Sequence, residues 1–331
     1  MINLIKTFPN QLSEALELTH QLDDLNTSFE DVNHIVISGM GGSGIGVHLV
    51  KSIVEDYCHV PITLIQGYRL PKWVNDSTLF IACSYSGNTE ETLTLLELAK
   101  KVTKNIFTIT TGGKLKAISD QNAYPQYNFS GEAECPRAGL AFPSVAMLSL
   151  ISKLGFCPGL NIKDEIQKTS EFLQNEQEAI IDLAKKYSKA ISNHFTFLYG
   201  DQIFYPALLR FQQQLAENSK QVSHLNVFPE LNHNELVGWE NPKHHISNSK
   251  VIILRSDLDH ERNKLRMNIS KSILAEKTEV IELMALGETF TQQVYYFIHL
   301  ADWISFCLAE ENHVDPFPVE KINYLKNKLA H

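Results

Sequence analysis

The chain has 331 residues, room for roughly two domains of ~150 residues, and its 44% hydrophobic content supplies a core for each. A formal net charge of −9 excludes nonspecific nucleic-acid binding, which needs a basic surface, but leaves local basic groups free to meet an anionic ligand. Cys58, Cys83, Cys135, Cys157 and Cys307 are scattered with no C-x-x-C, as in a reduced cytoplasmic protein. Met1 to Leu22 mixes Lys6, Pro9 and Glu14 with apolar residues, so it reads as neither signal peptide nor anchor, and no stretch approaches a membrane span.

In chain order, residues 9–25 predict an amphipathic helix, with Leu12, Leu16, Leu18, Leu22 and Leu25 on or near one face. Alternation then begins: strand His34 to Ser38, helix Gly44 to Val54, strands Ile62 to Gln66 and Leu79 to Cys83. Helix Glu90 to Val102, strand Asn105 to Thr110 and apolar helix Pro143 to Leu154 follow. Short strands alternating with helices of about ten residues indicate βαβ units and a parallel sheet. From Phe156 to Ala190 the composition turns to Lys, Glu and Gln at helical spacing, predicting a helical connector. A second half repeats the alternation: strand Phe195 to Tyr199, helix Pro206 to Asn218, and strands Leu225 to Phe228 and Val251 to Arg255. Helix Asp259 to Ala275, strand Glu279 to Leu283, helix Thr289 to Leu308 and a short terminal helix before His331 complete it. The expectation is an α/β chain of two domains, 1–155 and 191–331, joined by a connector at 156–190, with no residue-level repeat between the halves.

Residues 79–92 carry the most functional information. The apolar run Leu79 to Ala82 stops at Ser84, Ser86 and Thr89, spaced around Gly87-Asn88, and a helix follows with Glu90 and Glu91 in its first turn. Hydroxyls and free backbone N–H groups at a helix N-terminus cradle a phosphate. The loop holds no Lys, so it is not a nucleotide P-loop; the ligand it suits is a single phosphate monoester. The earlier Gly39-Met40-Gly41-Gly42-Ser43-Gly44 matches G-x-G-x-x-G, but the second strand ends in Gln66-Gly67 where a dinucleotide site wants a ribose-binding acid. Gly41, Gly42 and Ser43 therefore read as one wall of a sugar-phosphate pocket, the glycines allowing close backbone approach.

Other residues could do chemistry. Arg137, between Pro136 and Ala138, suits an anion or a developing oxyanion, or a surface salt bridge. Glu217 ends an apolar helix, where partial desolvation raises a carboxylate toward general-base range and where the dipole disfavours it; a solvated role is the alternative. His233, among Asn232, Asn234 and Glu235, could move a proton near neutral pH. His233, His244 and His245 with Glu230 or Glu235 lack regular metal-ligand spacing. Lys326 is a cationic donor to a sugar hydroxyl or a complement to its helix C-terminus.

Taken together, Ser-Tyr-Ser-Gly-Asn-Thr-Glu-Glu-Thr (84–92), Gly-Met-Gly-Gly-Ser-Gly (39–44), Thr-Thr-Gly-Gly-Lys-Leu (110–115) and Pro-Arg-Ala (136–138) resemble the bifunctional phosphoglucose/phosphomannose isomerase family. Glu-Asn-Ser-Lys (217–220), His-Asn (233–234) and Leu-Lys (325–326) extend the likeness over nearly the whole chain. The resemblance implies two SIS (sugar isomerase) domains, each a flavodoxin-like three-layer α/β/α parallel sheet, in a homodimer with shared active sites. It implies metal-independent aldose–ketose isomerisation of hexose 6-phosphates, in glycolysis and gluconeogenesis. By position, Gly42, Ser43, Ser84, Ser86 and Thr89 would hold the phosphate, and Glu217 would be the base. Arg137 would stabilise the enediolate, and His233 and Lys326 would assist ring opening, the histidine coming from the neighbouring subunit. Bifunctional relatives carry Thr seven residues before the terminal lysine; here it is Val319, which supplies no hydroxyl for acceptance of both C2 epimers. The route needs no cofactor and no nucleic-acid or membrane partner. A non-catalytic SIS-type sugar-phosphate sensor is the alternative, although it would leave Glu217, His233 and Lys326 without a task.

Overall fold

The computed structural model describes residues 1–23, 25, 29, 31–129 and 135–329. His331, at the end of the expected tail, lies outside them, as does part of the expected helix over 9–25. The chain divides into two compact units, one spanning Lys6–Gln174, the other Asn175–His331 with Met1–Ile5.

In the first unit, helices α1 (Ile2–Lys6, shared with the other unit) and α2 (Phe8–Glu17) precede the sheet. Strand β1 is His34–Ser38, followed by α3 (Gly41–Val54), β2 (Ile62–Ile65) and β3 (Thr78–Ser84). Then come α4 (Glu90–Ala99), β4 (Ile106–Thr110), α5 (Gly113–Asn122), β5 (Gln126–Asn128) and α6 (Ala141–Lys153). All pairings are parallel, in the order β2-β1-β3-β4-β5. Strands buried on both faces read as unbroken apolar runs, and β3 and β4 are buried at every residue. Val36, Phe80, Ala82 and Ile106 pack in one core with Leu95 and Leu96 of α4 and Leu115 of α5.

Three differences from expectation have physical causes. Helix α3 starts at Gly41 rather than Gly44, because Gly41 adopts φ +50° and brings the glycine run into the first helical turn. The expected helix over 9–25 ends at Glu17 and tightens into a 3₁₀ turn over Leu18–Leu22, where the Thr19 hydroxyl donates to Leu16 O at 2.6 Å. Helix α5 was not expected; it begins at a Gly-Gly pair and buries only Leu115 and Ser119, too little for an apolar stripe.

The 30-residue helix α7 (Ile162–Ile191) occupies the expected connector, and the division between units falls inside it, after Gln174. The second unit contains β6 (Phe195–Asp201), α8 (Tyr205–Glu217), β7 (Ser223–Phe228), α9 (Lys243–Ser247) and β8 (Ser249–Arg255). It continues with α10 (Glu261–Ala275), β9 (Glu279–Met284), α11 (Phe290–Glu311) and α12 (Glu320–Leu329). The parallel order is β7-β6-β8-β9. Helix α11 is buried along most of its length. It is locked to α8 by a buried bidentate pair, with Arg210 Nε and Nη2 each 2.9 Å from a carboxylate oxygen of Asp302. A bidentate pairing aligns the planar guanidinium with the carboxylate, so the pair restricts the rotation of the helix that ends in Glu217.

Candidate active site

In an open parallel sheet, ligands bind beyond the carboxyl ends of the strands, where the winding direction reverses. The order β2-β1-β3 puts that point between β1 and β3, whose residues Ser38 and Ala82 are paired. Both predicted loops leave from there: the glycine run after Ser38 and the hydroxyl loop from Ser84. They touch, as Tyr85 N donates to Ser43 Oγ at 3.3 Å.

The hydroxyl loop is shaped by local chemistry. Thr89 stands at the N-cap of α4 in extended conformation, where a threonine ordinarily accepts from its own helix. It makes no such bond; Thr89 Oγ1 lies 2.8 Å from Ser84 Oγ instead. The first N–H groups of α4 therefore face outward without that internal acceptor, as an anion requires. Gly87 is at φ +66°, and a methyl group there would sit 1.8 Å from Gly112 O, so only glycine fits. Ser86 is more exposed, and its Oγ accepts from Asn88 N at 3.3 Å.

The loop after β4 supports this cradle, a role the sequence left open. Thr111 Oγ1 donates to Tyr85 O at 2.8 Å, Leu115 N to Gly87 O at 2.9 Å, and Lys114 N to Asn88 Oδ1 at 3.1 Å. The 3₁₀ turn Pro136–Gly139 lies against the glycine loop: a Cβ at Gly42 would be 3.5 Å from Pro136 O and 3.8 Å from Arg137 Cα. Buried Arg137 thus adjoins Gly42, and Gly139 of the same turn faces the Tyr85 ring, in a setting unlike a surface salt bridge. Gln66, at the position of a ribose-binding acid, donates from Nε2 to Gly39 O at 3.3 Å and so closes onto the loop. Burial pushes the Cys83 thiol up to about 12, despite a hydrogen bond with Ser43, so it stays neutral beside the crevice.

Gly42, Ser43, Ser84, Ser86, Thr89 and Arg137 all belong to the first unit. Glu217, His233 and Lys326 belong to the second. Glu217 is the last residue of α8 and is half-buried. Its carbonyl takes a 2.6 Å bond from Lys220 Nζ, which also donates to Pro318 O at 2.8 Å, two residues before α12, the helix that carries Lys326. Lys326 and His233 are exposed, His233 at the end of a 3₁₀ turn over Glu230–His233. Among the described residues no group of three His, Cys, Asp or Glu side chains is placed to hold a metal ion. Nor, among them, is any helix long and apolar enough to cross a membrane.

Two parallel α/β units, one of them with a glycine-and-hydroxyl crevice at its switch point, define the SIS class of phosphosugar domains. Residues 180–329 match the family model described as the bacterial phospho-glucose isomerase C-terminal SIS domain. A bifunctional phosphoglucose/phosphomannose isomerase from Caldicellulosiruptor bescii is 35% identical over 100% of this chain and 99% of its own. One from Aquifex aeolicus is 33% identical, with 93% of each chain covered. The chain belongs to the bifunctional phosphoglucose/phosphomannose isomerase family. In fold it is also similar to the C-terminal domain of glucosamine-fructose-6-phosphate aminotransferase from Francisella tularensis. That match has a TM-score of 0.72 and 18% identity, covering 95% of this chain and 97% of the other.

Proposed function

We propose that this protein interconverts glucose 6-phosphate and fructose 6-phosphate, and extends the reaction to mannose 6-phosphate, through a cis-enediolate. The observation that carries the reading is the crevice between β1 and β3. There Ser43, Ser84 and Thr89 meet at the heads of two helices, with Arg137 adjoining. A dianionic phosphate finds hydroxyl and backbone donors there and no competing internal acceptor from Thr89.

The chemistry needs two protons moved, the carbon-bound one from C2 to C1 and the hydroxyl one from O2 to O1 across the enediolate. Ring opening, assisted by His233 and Lys326, yields a C1 aldehyde that acidifies the C2 proton. The Glu217 carboxylate takes that proton and returns it to C1, while Arg137 stabilises the enediolate oxygen. No redox cofactor enters this sequence, and a carboxylate–arginine pair suffices without a metal. Membership of the family supports a cytoplasmic homodimer with shared active sites, His233 coming from the partner subunit, and a place in glycolysis and gluconeogenesis. Neither nucleic acid nor membrane is a partner in this reading.

The test is a coupled assay of the purified protein with each hexose 6-phosphate in EDTA. Turnover should survive chelation, and Glu217→Gln should lower kcat by about 10²–10⁴-fold with KM little changed. Binding of fructose 6-phosphate with no turnover in the unaltered protein would favour the non-catalytic sensor instead. Val319 bears on epimer range. Its carbonyl accepts from Ile322 N and Asn323 N at 3.0 Å, so it occupies the N-cap of α12 without a side-chain acceptor. Val319→Thr should raise the mannose-to-glucose activity ratio severalfold and stabilise the helix by about 1 kcal/mol.

A further inference from the structure

We propose that Glu235 is a positioning residue that holds His233 in its reactive place by tying the exposed histidine turn to the sheet beneath. The inference rests on the role given to His233 under the proposed function.

The turn is pinned on both sides of the histidine. Ahead of it, Asn232 Nδ2 donates to Ser270 Oγ on α10 at 2.8 Å. Behind it, Asn234 Nδ2 donates to Glu230 Oε1 at 2.7 Å, and Asn234 Oδ1 accepts from Glu235 N at 2.5 Å. Glu235 begins the next 3₁₀ turn, Glu235–Gly238, and its half-buried carboxylate points inward. Oε2 accepts from Asn226 Nδ2 at 2.5 Å and pairs with His224 Nε2 at 2.9 Å, while Oε1 accepts from the Tyr199 hydroxyl. Trp239 Nε1 donates to that same hydroxyl at 3.2 Å. Three donors from two adjacent strands, β6 and β7, thus converge on one carboxylate two residues from His233.

Surface loops seldom carry such a set. Partly burying a carboxylate is costly, and three directed hydrogen bonds offset the cost only where the geometry is held. Burial alone would raise the Glu235 pKa; the hydrogen bonds from His224, Tyr199 and Asn226 outweigh it and hold the carboxyl below its ordinary value. Glu235 therefore remains ionised, and the same hydrogen bond raises His224. His233 itself stays exposed on this fixed turn. An imidazole that must meet a sugar ring oxygen needs its backbone fixed and its ring free, which is the arrangement observed.

The experiment is a double-mutant cycle on the full-length protein, read as kcat and KM for fructose 6-phosphate, with thermal unfolding as the check on folding. Glu235→Gln should lower kcat about 10- to 100-fold and leave KM within about twofold. In a His233→Ala background the same substitution should cost less than about twofold more. Tyr199→Phe removes one donor to the carboxylate with little change of shape, and should lower kcat about three- to tenfold with the same non-additivity. An additive loss in the His233→Ala background would overturn the inference, as would Glu235→Gln and Tyr199→Phe proteins that fold with unaltered kcat. His233→Ala with unaltered kcat would remove the reading of His233 itself. That arm contains no change at Glu235, so the two failures are distinguishable.

Discussion

The two sheets reverse direction at equivalent places, between β1 and β3 in the first unit and between β6 and β8 in the second. Their chemistry there is opposite. Beyond β1 and β3 the chain supplies Ser43, Ser84 and Thr89, hydroxyls of which Ser84 and Thr89 pair at 2.8 Å and Ser43 accepts from Tyr85 N at 3.3 Å. Beyond β6 and β8 it supplies carboxylates that consume the donors themselves. Asp201 accepts from Ile203 N and His260 N at 3.3 Å and from Asn263 Nδ2 at 2.9 Å. Asp259 accepts from Ser256 N at 2.8 Å, and Ser256 Oγ donates to Gln293 Oε1 at 2.5 Å. In the second unit aspartates do internally what a phosphate would do from outside. The topology sets where a ligand could sit, and the side chains decide whether one is needed there.

That contrast is most open to attack at Gly87. Gly87→Ala combines a left-handed φ with a collision against Gly112 O, so the hydroxyl loop has to move. We expect KM for fructose 6-phosphate to rise at least about 100-fold, from the loss of several charge-assisted hydrogen bonds at about 1.5–3 kcal/mol each. An unchanged KM would place the phosphate elsewhere. Single hydroxyls sharpen the comparison. Ser43→Ala and Ser84→Ala should each raise KM about tenfold or more, one charge-assisted bond's worth. The matched change in the second unit, Ser256→Ala, should leave KM within about twofold while costing about 1 kcal/mol of stability in urea unfolding. Equal effects on KM from the two sets would erase the distinction between the crevices.

The first crevice was legible because its chemistry is local in sequence: strand, hydroxyls, glycine and helix lie within 79–92, and β1 ran from His34 to Ser38 as its apolar run predicts. The support around it was less so. Short edge pieces such as α5 and β5 bury too little to leave a periodic trace, and the role of Thr111 shows only when β3 and β4 pair. Glu235 stood beside His233 in the sequence, but its partner Tyr199 lies 36 residues away on β6. Asp201 and Asp259 carried no signal either. An acid after a strand reads as a turn or cap, and its true partners are supplied by tertiary packing.

Asp259 offers the subtlest test, because it separates stability from substrate binding. Its side chain is buried, and its Oδ1 accepts no hydrogen bond. Burial, opposed by the Ser256 N–H and reinforced by Asp201, raises the pKa to about 6 from 3.8. A carboxyl that binds its proton more tightly when folded adds stability below the unfolded value, and that contribution is lost as pH rises through about 6. At neutral pH the ionised buried group therefore costs on the order of 2–3 kcal/mol relative to acid. Asp259→Asn keeps an oxygen to accept from Ser256 N and carries no charge. The variant should gain about 1–3 kcal/mol over the parent at pH 7, and between pH 4 and 6 its stability should change less steeply. KM for fructose 6-phosphate should not move, since the residue serves a crevice that already holds its own anions. Urea unfolding from pH 4 to 8 measures the slope, and an unchanged slope would mean that the charge in the second crevice is already relieved by its neighbours.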